Sequence, residues 1–266
     1  MTEPGRHPGL PRAAWALLVL LPLIVACGGP ELPPSHAVLL ENDYALSRSD
    51  QIQTFEDYLQ MEDELFQELE ERIVSAGPTG SEHALQRYSR GSLSDPSARQ
   101  PNWNRSFELP AENPRGAVLL LHGMTDSPYS LRAMGEKLQR EQFHVVGLRL
   151  PGHGTAPSGM LDVTWQDMSA ATNLAMEHLA KKAGSVPIHI IGYSTGAALA
   201  LDYVLQVEER DGGTLPRSLV LVSPAIGISP AAALAQVKRG LSMLPGQGGM
   251  AWLQVETEFD PYKYNS

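Results

Sequence analysis

The stretch HIIGYSTGAALALDYV, residues 189–204, decides how the rest of the chain is read. An apolar run meets a helix rich in alanine through Gly192-Tyr193-Ser194-Thr195-Gly196. A G-x-S-x-G pentapeptide alone is weak evidence, since Gly and Ser are common residues. Between a strand and a helix it becomes specific, because a tight elbow there needs residues without bulk two before and two after the serine. Gly192 and Gly196 meet that need, and Ala197 and Ala198 let the helix lie close to a sheet. Ser194 is thereby placed above the sheet, near a helix start, as a candidate nucleophile.

Outward from the elbow, short apolar runs alternate with amphipathic ones. SFEL (106–109) reads as a strand, and GAVLLLHG (116–123) as a strand buried on both faces. A helix starts near Ser127, with Leu131, Met134 and Leu138 on one side. HVVGLRL (144–150) is the next strand, followed by PGHGTAPSG. Then come a helix from about Trp165 to Lys182, the strand VPIHIIG, a helix from Thr195 to about Val207, and the strand SLVLVSPA (218–225). This alternation predicts an α/β fold with a mainly parallel sheet flanked by helices. Such sheets carry their chemistry at the carboxyl ends of the strands, where Gly123, Gly152, Gly154 and Gly192 fall.

A serine that attacks a carbonyl needs an oxyanion hole of two N–H groups, each worth roughly 3 kcal/mol in the transition state. Thr195, directly after the nucleophile, supplies one, and Met124 in the His122-Gly123-Met124 loop supplies the other. His122, at a strand end beside a glycine, suits shaping that loop better than proton transfer, and His153 in PGHG suits shaping a turn.

The chain has 266 residues, with 30 acidic and 20 basic side chains and a net charge of −10. The acidic balance argues against nucleic acid as a partner. No Cys and His pairs have zinc spacing. The oligomeric state is left open. MTEPGRHPGLPR carries Arg6 and Arg12 and precedes AAWALLVLLPLIVA, 14 apolar residues ending before Cys27. The run is short of the ~20 residues of a bilayer span and fits a signal peptide. Ile24-Val25-Ala26-Cys27 resembles the bacterial lipobox, which implies a lipid on Cys27 and a protein held at the cell envelope. Gly28 after it implies the outer membrane where a cell has two, with the protein facing periplasm or exterior. Cys27 is the only cysteine, so no intrachain disulfide is available.

Residues 27–50 read as a tether. From Gln51 to Val74, Phe55, Leu59, Phe66, Leu69 and Ile73 recur at helix spacing, while Glu56, Asp57, Glu62, Asp63, Glu64, Glu68, Glu70 and Glu71 form a face fit for water. Residues 75–104, with many Gly, Pro, Ser and Arg, read as a loop or linker.

LLLHGMTDSPYS, RLPGHGTAPSG, TWQDM and IIGYSTG stand in an order that resembles the α/β-hydrolase superfamily. The likeness is to the carboxylesterase, monoacylglycerol-lipase and lysophospholipase-like branch, often labelled with serine aminopeptidase names. It implies a hydrolase domain over residues 105–266 after a signal peptide (1–26), the tether and a helical extension with linker (51–104). It further implies an acyl-enzyme on Ser194, a small ester substrate that includes acyl or lipid esters, and no cofactor. Peptide or amide substrates are a second option within the same resemblance.

In that superfamily the acid and then the histidine follow the nucleophile. None of the eight histidines, at 7, 36, 83, 122, 144, 153, 178 and 189, follows Ser194. Of the later aspartates, Asp202 lies about 12 Å along the helix from the elbow, Asp211 follows that helix, and Asp260 has nothing downstream to orient. AAALAQVKRGLSML (231–244) reads as a helix that begins a cap, and the family pattern would add two further strands. The expectation is a C-terminally truncated piece of a longer hydrolase. The alternatives are a membrane-anchored binding or scaffold protein without catalysis, and a rescued site using His122 or His153.

Overall fold

The computed structural model describes residues 33–99, 101–210 and 212–227. Cys27, Asp211, the helix expected at 231–244 and Asp260 lie outside them.

Five strands form one sheet: β1 (Phe107–Leu109), β2 (Gly116–Leu121), β3 (Phe143–Leu148), β4 (Ile188–Tyr193) and β5 (Ser218–Val222), in the spatial order β1-β3-β2-β4-β5. All pairings are parallel except β1 with β3. This is the α/β architecture that the alternating pattern predicts. Strand β2 is central and buried at every residue, which is why its sequence is continuously apolar rather than alternating.

The two faces of β2 feed two cores. Ala117, Leu119 and Leu121 pack with Val146, Leu148 and Ile190 beneath α3 (Trp165–Ala183) and α4 (Thr195–Arg210). Val118 and Leu120 pack with Val145, Phe107 and Leu131, the last from α2 (Tyr129–Arg140). Helix α3 opens on a capping box, Thr164 and Asp167 each accepting the other's backbone N–H. Such a cap stabilises a helix by about 1 kcal/mol.

The N-terminal helix packs against the sheet domain, with Phe55, Tyr58 and Met61 in the main core. The periodic segment forms α1 (Phe55–Leu69), capped by Thr54 and Asp57, and continues as a π-type turn over Glu70–Val74. Its buried stripe adds Tyr58, Met61 and Leu65 to the expected Phe55, Phe66, Leu69 and Ile73, and Leu59 is only partly buried. The acidic face is not wholly solvated as expected: Glu62 and Glu68 are buried. Glu68 accepts from the N–H groups of Glu41 and Asn42 at 2.9–3.0 Å and pairs with Arg72 at 2.6 Å. A charge can be buried when such partners replace its water.

The segment read as a tether is likewise packed: Ser35 is buried, and the Ser158 hydroxyl donates to the Val38 carbonyl at 2.6 Å. Tyr44 and Ile52 join the main core, and Leu46 donates its N–H to Asp167 at 2.6 Å. Residues of the expected linker also dock, with the Tyr88 hydroxyl donating to the Thr155 carbonyl at 3.0 Å. Glu108 of β1 joins these layers by bonding both His144 of β3, at 2.6 Å, and His178 of α3, at 3.2 Å. Among the described residues no helix is long and apolar enough to cross a membrane.

Candidate active site

Parallel pairing brings three loops to one edge. Leu121 at the end of β2 lies opposite Leu148 of β3 and Gly192 of β4. The loops His122-Gly123-Met124, Arg149-Leu150-Pro151-Gly152-His153 and Tyr193-Ser194 therefore emerge side by side.

Ser194 sits between β4 and α4 with φ +53°. That left-handed conformation costs a non-glycine residue about 1–3 kcal/mol. Surrounding hydrogen bonds hold it there. The Ser194 N–H donates to the Val222 carbonyl at 2.9 Å, and the Ser194 carbonyl accepts from Ala197, Ala198 and Ala225 at 3.1–3.2 Å. The flanking glycines are required sterically. A Cβ on Gly192 would lie 2.5 Å from the Ala197 nitrogen, and one on Gly196 would lie 2.6 Å from the His122 carbonyl oxygen.

Gly123 faces the elbow directly. A Cβ there would stand 2.9 Å from the Tyr193 ring and 3.3 Å from the Ser194 Cβ. The loop carrying Met124 thus touches the serine, and the two expected hole donors share one locality with it. Thr195 is the first residue of α4, where N–H groups have no partner inside the helix. Among the described residues neither the Thr195 nor the Met124 N–H donates to a protein acceptor. The side chains of Met124 and Tyr193 are exposed.

His122 is hydrogen-bonded through both ring nitrogens. Its Nε2 lies 3.0 Å from the Leu150 nitrogen, which can only donate. Nε2 therefore accepts, the proton is on Nδ1, and Nδ1 donates to the Gly123 carbonyl at 2.9 Å. Asp126, whose role the sequence did not reveal, ties the loop to the start of α2 by accepting the Ser127 N–H at 2.8 Å and the Ser130 hydroxyl at 2.6 Å. Burial pushes the Asp126 carboxyl up, and hydrogen bonds from Ser130, Ser127 and Gly123 oppose that rise. A short side chain in a Gly-Met-Thr-Asp-Ser turn is the one signal that could have marked it.

Neither His122 nor His153 is arranged as a base for Ser194, so the rescued site is not formed. Both are wholly buried, and among the described residues the Ser194 hydroxyl has no hydrogen-bond partner. His153 bonds the Pro151 carbonyl through Nδ1 at 2.9 Å, and its Nε2 is buried without a partner. Burial lowers His122 to about 4 and His153 to about 3, helped by the neighbouring charge of Arg149. Asp202 bonds Ser169 at 2.8 Å and Gln206 at 2.6 Å, which leaves it in the α3–α4 contact. Among the described residues no three His, Cys, Asp or Glu side chains converge as a metal site.

The two histidines give the fold an acid limit. Unfolded, each gains a proton near pH 6.5; folded, each stays neutral down to about 4 and about 3. The unfolded chain then binds more protons, so their contribution is complete above pH 6.5 and is lost as pH falls toward 4. The slope is about 1.4 kcal/mol per histidine per pH unit. Thermal melting at intervals from pH 7 to pH 4 should show this fall, and His153→Gln should flatten it. An equal slope in that variant would remove His153 from the account.

Beneath the loops lies Arg149, fully buried. Its guanidinium bonds Asp43 at 2.8 Å and Glu62 at 3.0 Å. Burial works against its charge, but the carboxylates outweigh it and hold the group firmly protonated. Sequence reading passed over Asp43 and Arg149 and placed Glu62 on a face fit for water.

The family model described as "Serine aminopeptidase, S33" matches residues 112–260, more than half of the chain. The thermostable monoacylglycerol lipase of Bacillus sp. (strain H-257) is 32% identical over 116 residues, which are 44% of this chain and 45% of that protein. This chain therefore spans about half the length of that curated relative. A solved structure of the metagenome-derived lipolytic enzymes LipS and LipT is 28% identical, with TM-score 0.43, covering 50% of this chain and 51% of that one. The monoacylglycerol lipase of Paleococcus ferrophilus is 21% identical, with TM-score 0.41, covering 53% and 51%. By the extent of the family match, with its elbow and strand order in place, the chain belongs to the serine aminopeptidase S33 family of α/β-hydrolases.

Proposed function

We propose that the whole protein hydrolyses carboxylic esters, acyl or lipid esters foremost, through an acyl-enzyme on Ser194. The observation that carries this reading is the strained Ser194 elbow lying against a loop whose Met124 N–H, like that of Thr195, has no protein acceptor among the described residues. In the proposed reaction Ser194 Oγ bonds to the ester carbonyl carbon and gives its proton to a base. The oxyanion accepts from the Met124 and Thr195 N–H groups. The carbon–oxygen bond to the alcohol then breaks, the alcohol leaves with that proton, and water releases the acid and restores Ser194. The base and its orienting acid belong to the whole protein and lie outside the described residues. The lipase names of the relatives favour an ester over an amide. The N-terminal pattern is read with it: Cys27 carries a lipid and holds the enzyme at the envelope membrane.

The test uses the natural protein, extracted from its own cell in detergent. Turnover of monoacylglycerols and p-nitrophenyl esters, with an intact mass showing lipid on Cys27, is the expected outcome. Turnover of peptide anilides alone would replace the reading with a peptidase. Ester binding without turnover would replace it with a non-catalytic binding protein.

A further inference from the structure

The N-terminal extension is joined to the elbow loops by a continuous polar path. Asp43 accepts the Gly152 N–H at 2.8 Å and holds the Arg149 guanidinium through both oxygens, at 2.8 and 3.3 Å. Glu62 of α1 holds Arg149 Nε at 3.0 Å, and the Tyr58 hydroxyl donates to the Arg149 carbonyl at 2.7 Å. The guanidinium in turn donates to the carbonyls of His153, at 3.0 Å, and Leu150, at 3.3 Å. The main chain of the turn from Arg149 to His153 is thereby fixed at four peptide groups by Asp43, Tyr58 and the Arg149 guanidinium.

That turn presents the Leu150 N–H to His122 Nε2, which sets the His122 tautomer, and the Nδ1 proton then fixes the Gly123 carbonyl. The Gly123 carbonyl and the Met124 N–H belong to one planar trans peptide and point in opposite directions. Whatever aims that carbonyl aims that N–H.

We propose that Asp43 of the N-terminal extension, with Glu62 and Tyr58 of α1, is a positioning residue for the Met124 oxyanion donor, acting through Arg149 and His122. The proposal rests on the ester-hydrolase reading for its catalytic consequence, but not for its structural one. The extension is then part of the machinery of the site, in addition to covering the core. A misdirected donor weakens the transition state while leaving substrate contacts in place.

The test places Asp43→Ala in the whole protein, leaving the Arg149–Glu62 pair intact. Two readouts are taken. The ring 15N signals of His122 report its tautomer, whether or not the protein is active. Labelling of Ser194 by a fluorophosphonate, in which a Ser194 Oγ–P bond forms and fluoride leaves, separates the affinity constant from the maximal labelling rate. The expected result is loss of the single Nδ1–H form of His122 and a 10–100-fold lower maximal rate with an unchanged affinity constant. An unaltered His122 signal in the folded variant would overturn the relay. So would an unaltered maximal rate where the wild type labels. A wild type that does not label overturns the ester-hydrolase reading instead, and the 15N signals alone then decide the relay. Should Asp43→Ala fail to fold, Tyr58→Phe removes one hydroxyl from the same path. A smaller change in the His122 signals is then expected, and no change would overturn the proposal.

Discussion

Replacing Ser194 by alanine should abolish fluorophosphonate labelling of the whole protein and lower ester turnover by on the order of 10⁴-fold or more. The variant should keep its fold, because the elbow is held by main-chain bonds. The Val222 carbonyl still accepts the N–H of residue 194, and the Ala197, Ala198 and Ala225 N–H groups still meet its carbonyl. Alanine also accepts the left-handed φ at a cost similar to that of serine, so the change removes an oxygen and little else. Intact mass before and after labelling, beside a far-ultraviolet circular dichroism spectrum, gives the answer. Turnover persisting in the folded variant would place the chemistry on another residue and leave the elbow without a catalytic role.

The second large effect concerns stability. Arg149→Met would leave the buried Glu62 carboxylate and the half-buried Asp43 carboxylate with no cation between them. Breaking such a pair from one side costs about 3–5 kcal/mol. For a domain of this size that lowers the melting temperature by roughly 10 °C, taking about 2–4 °C per kcal/mol. The triple change Asp43→Asn, Glu62→Gln, Arg149→Met removes the stranded charges together and should recover much of the loss. Scanning calorimetry of both variants at pH 7 is the measurement. A single variant that melts with the wild type would mean that water or neighbouring groups already satisfy the two carboxylates.

What could be read from sequence follows from how far apart the interacting residues are. The strands at 116–121, 143–148 and 188–193 and the elbow at 192–196 were legible because their requirements are local: apolar side chains on both faces, and no Cβ at two fixed offsets from a serine. Glu62 and Glu68 were misread because helix periodicity sorts residues by polarity. It cannot see that an arginine 87 positions later, or two N–H groups 26 and 27 positions earlier, will neutralise an acidic face. The packing of residues 43–52 was hidden for a related reason. Their contacts, such as Leu46 with Asp167, span 121 positions and leave no periodic trace. The loop-shaping role of His122 was visible from its place beside Gly123, whereas its tautomer required the Leu150 N–H.

The oxyanion donors proposed for Ser194 are main-chain groups, and the side chains beside them, those of Met124 and Tyr193, are exposed. Chemistry and taste are thus written in different alphabets. Drift at positions 124 and 193 can reshape what fits over the serine without erasing either N–H, for every residue but proline brings one. Descent from a common ancestor could diversify the diet of such a protein by ordinary point changes at its rim. Loss of the proposed chemistry would instead come from changing Ser194 itself, the flanking glycines or the buried supports beneath them.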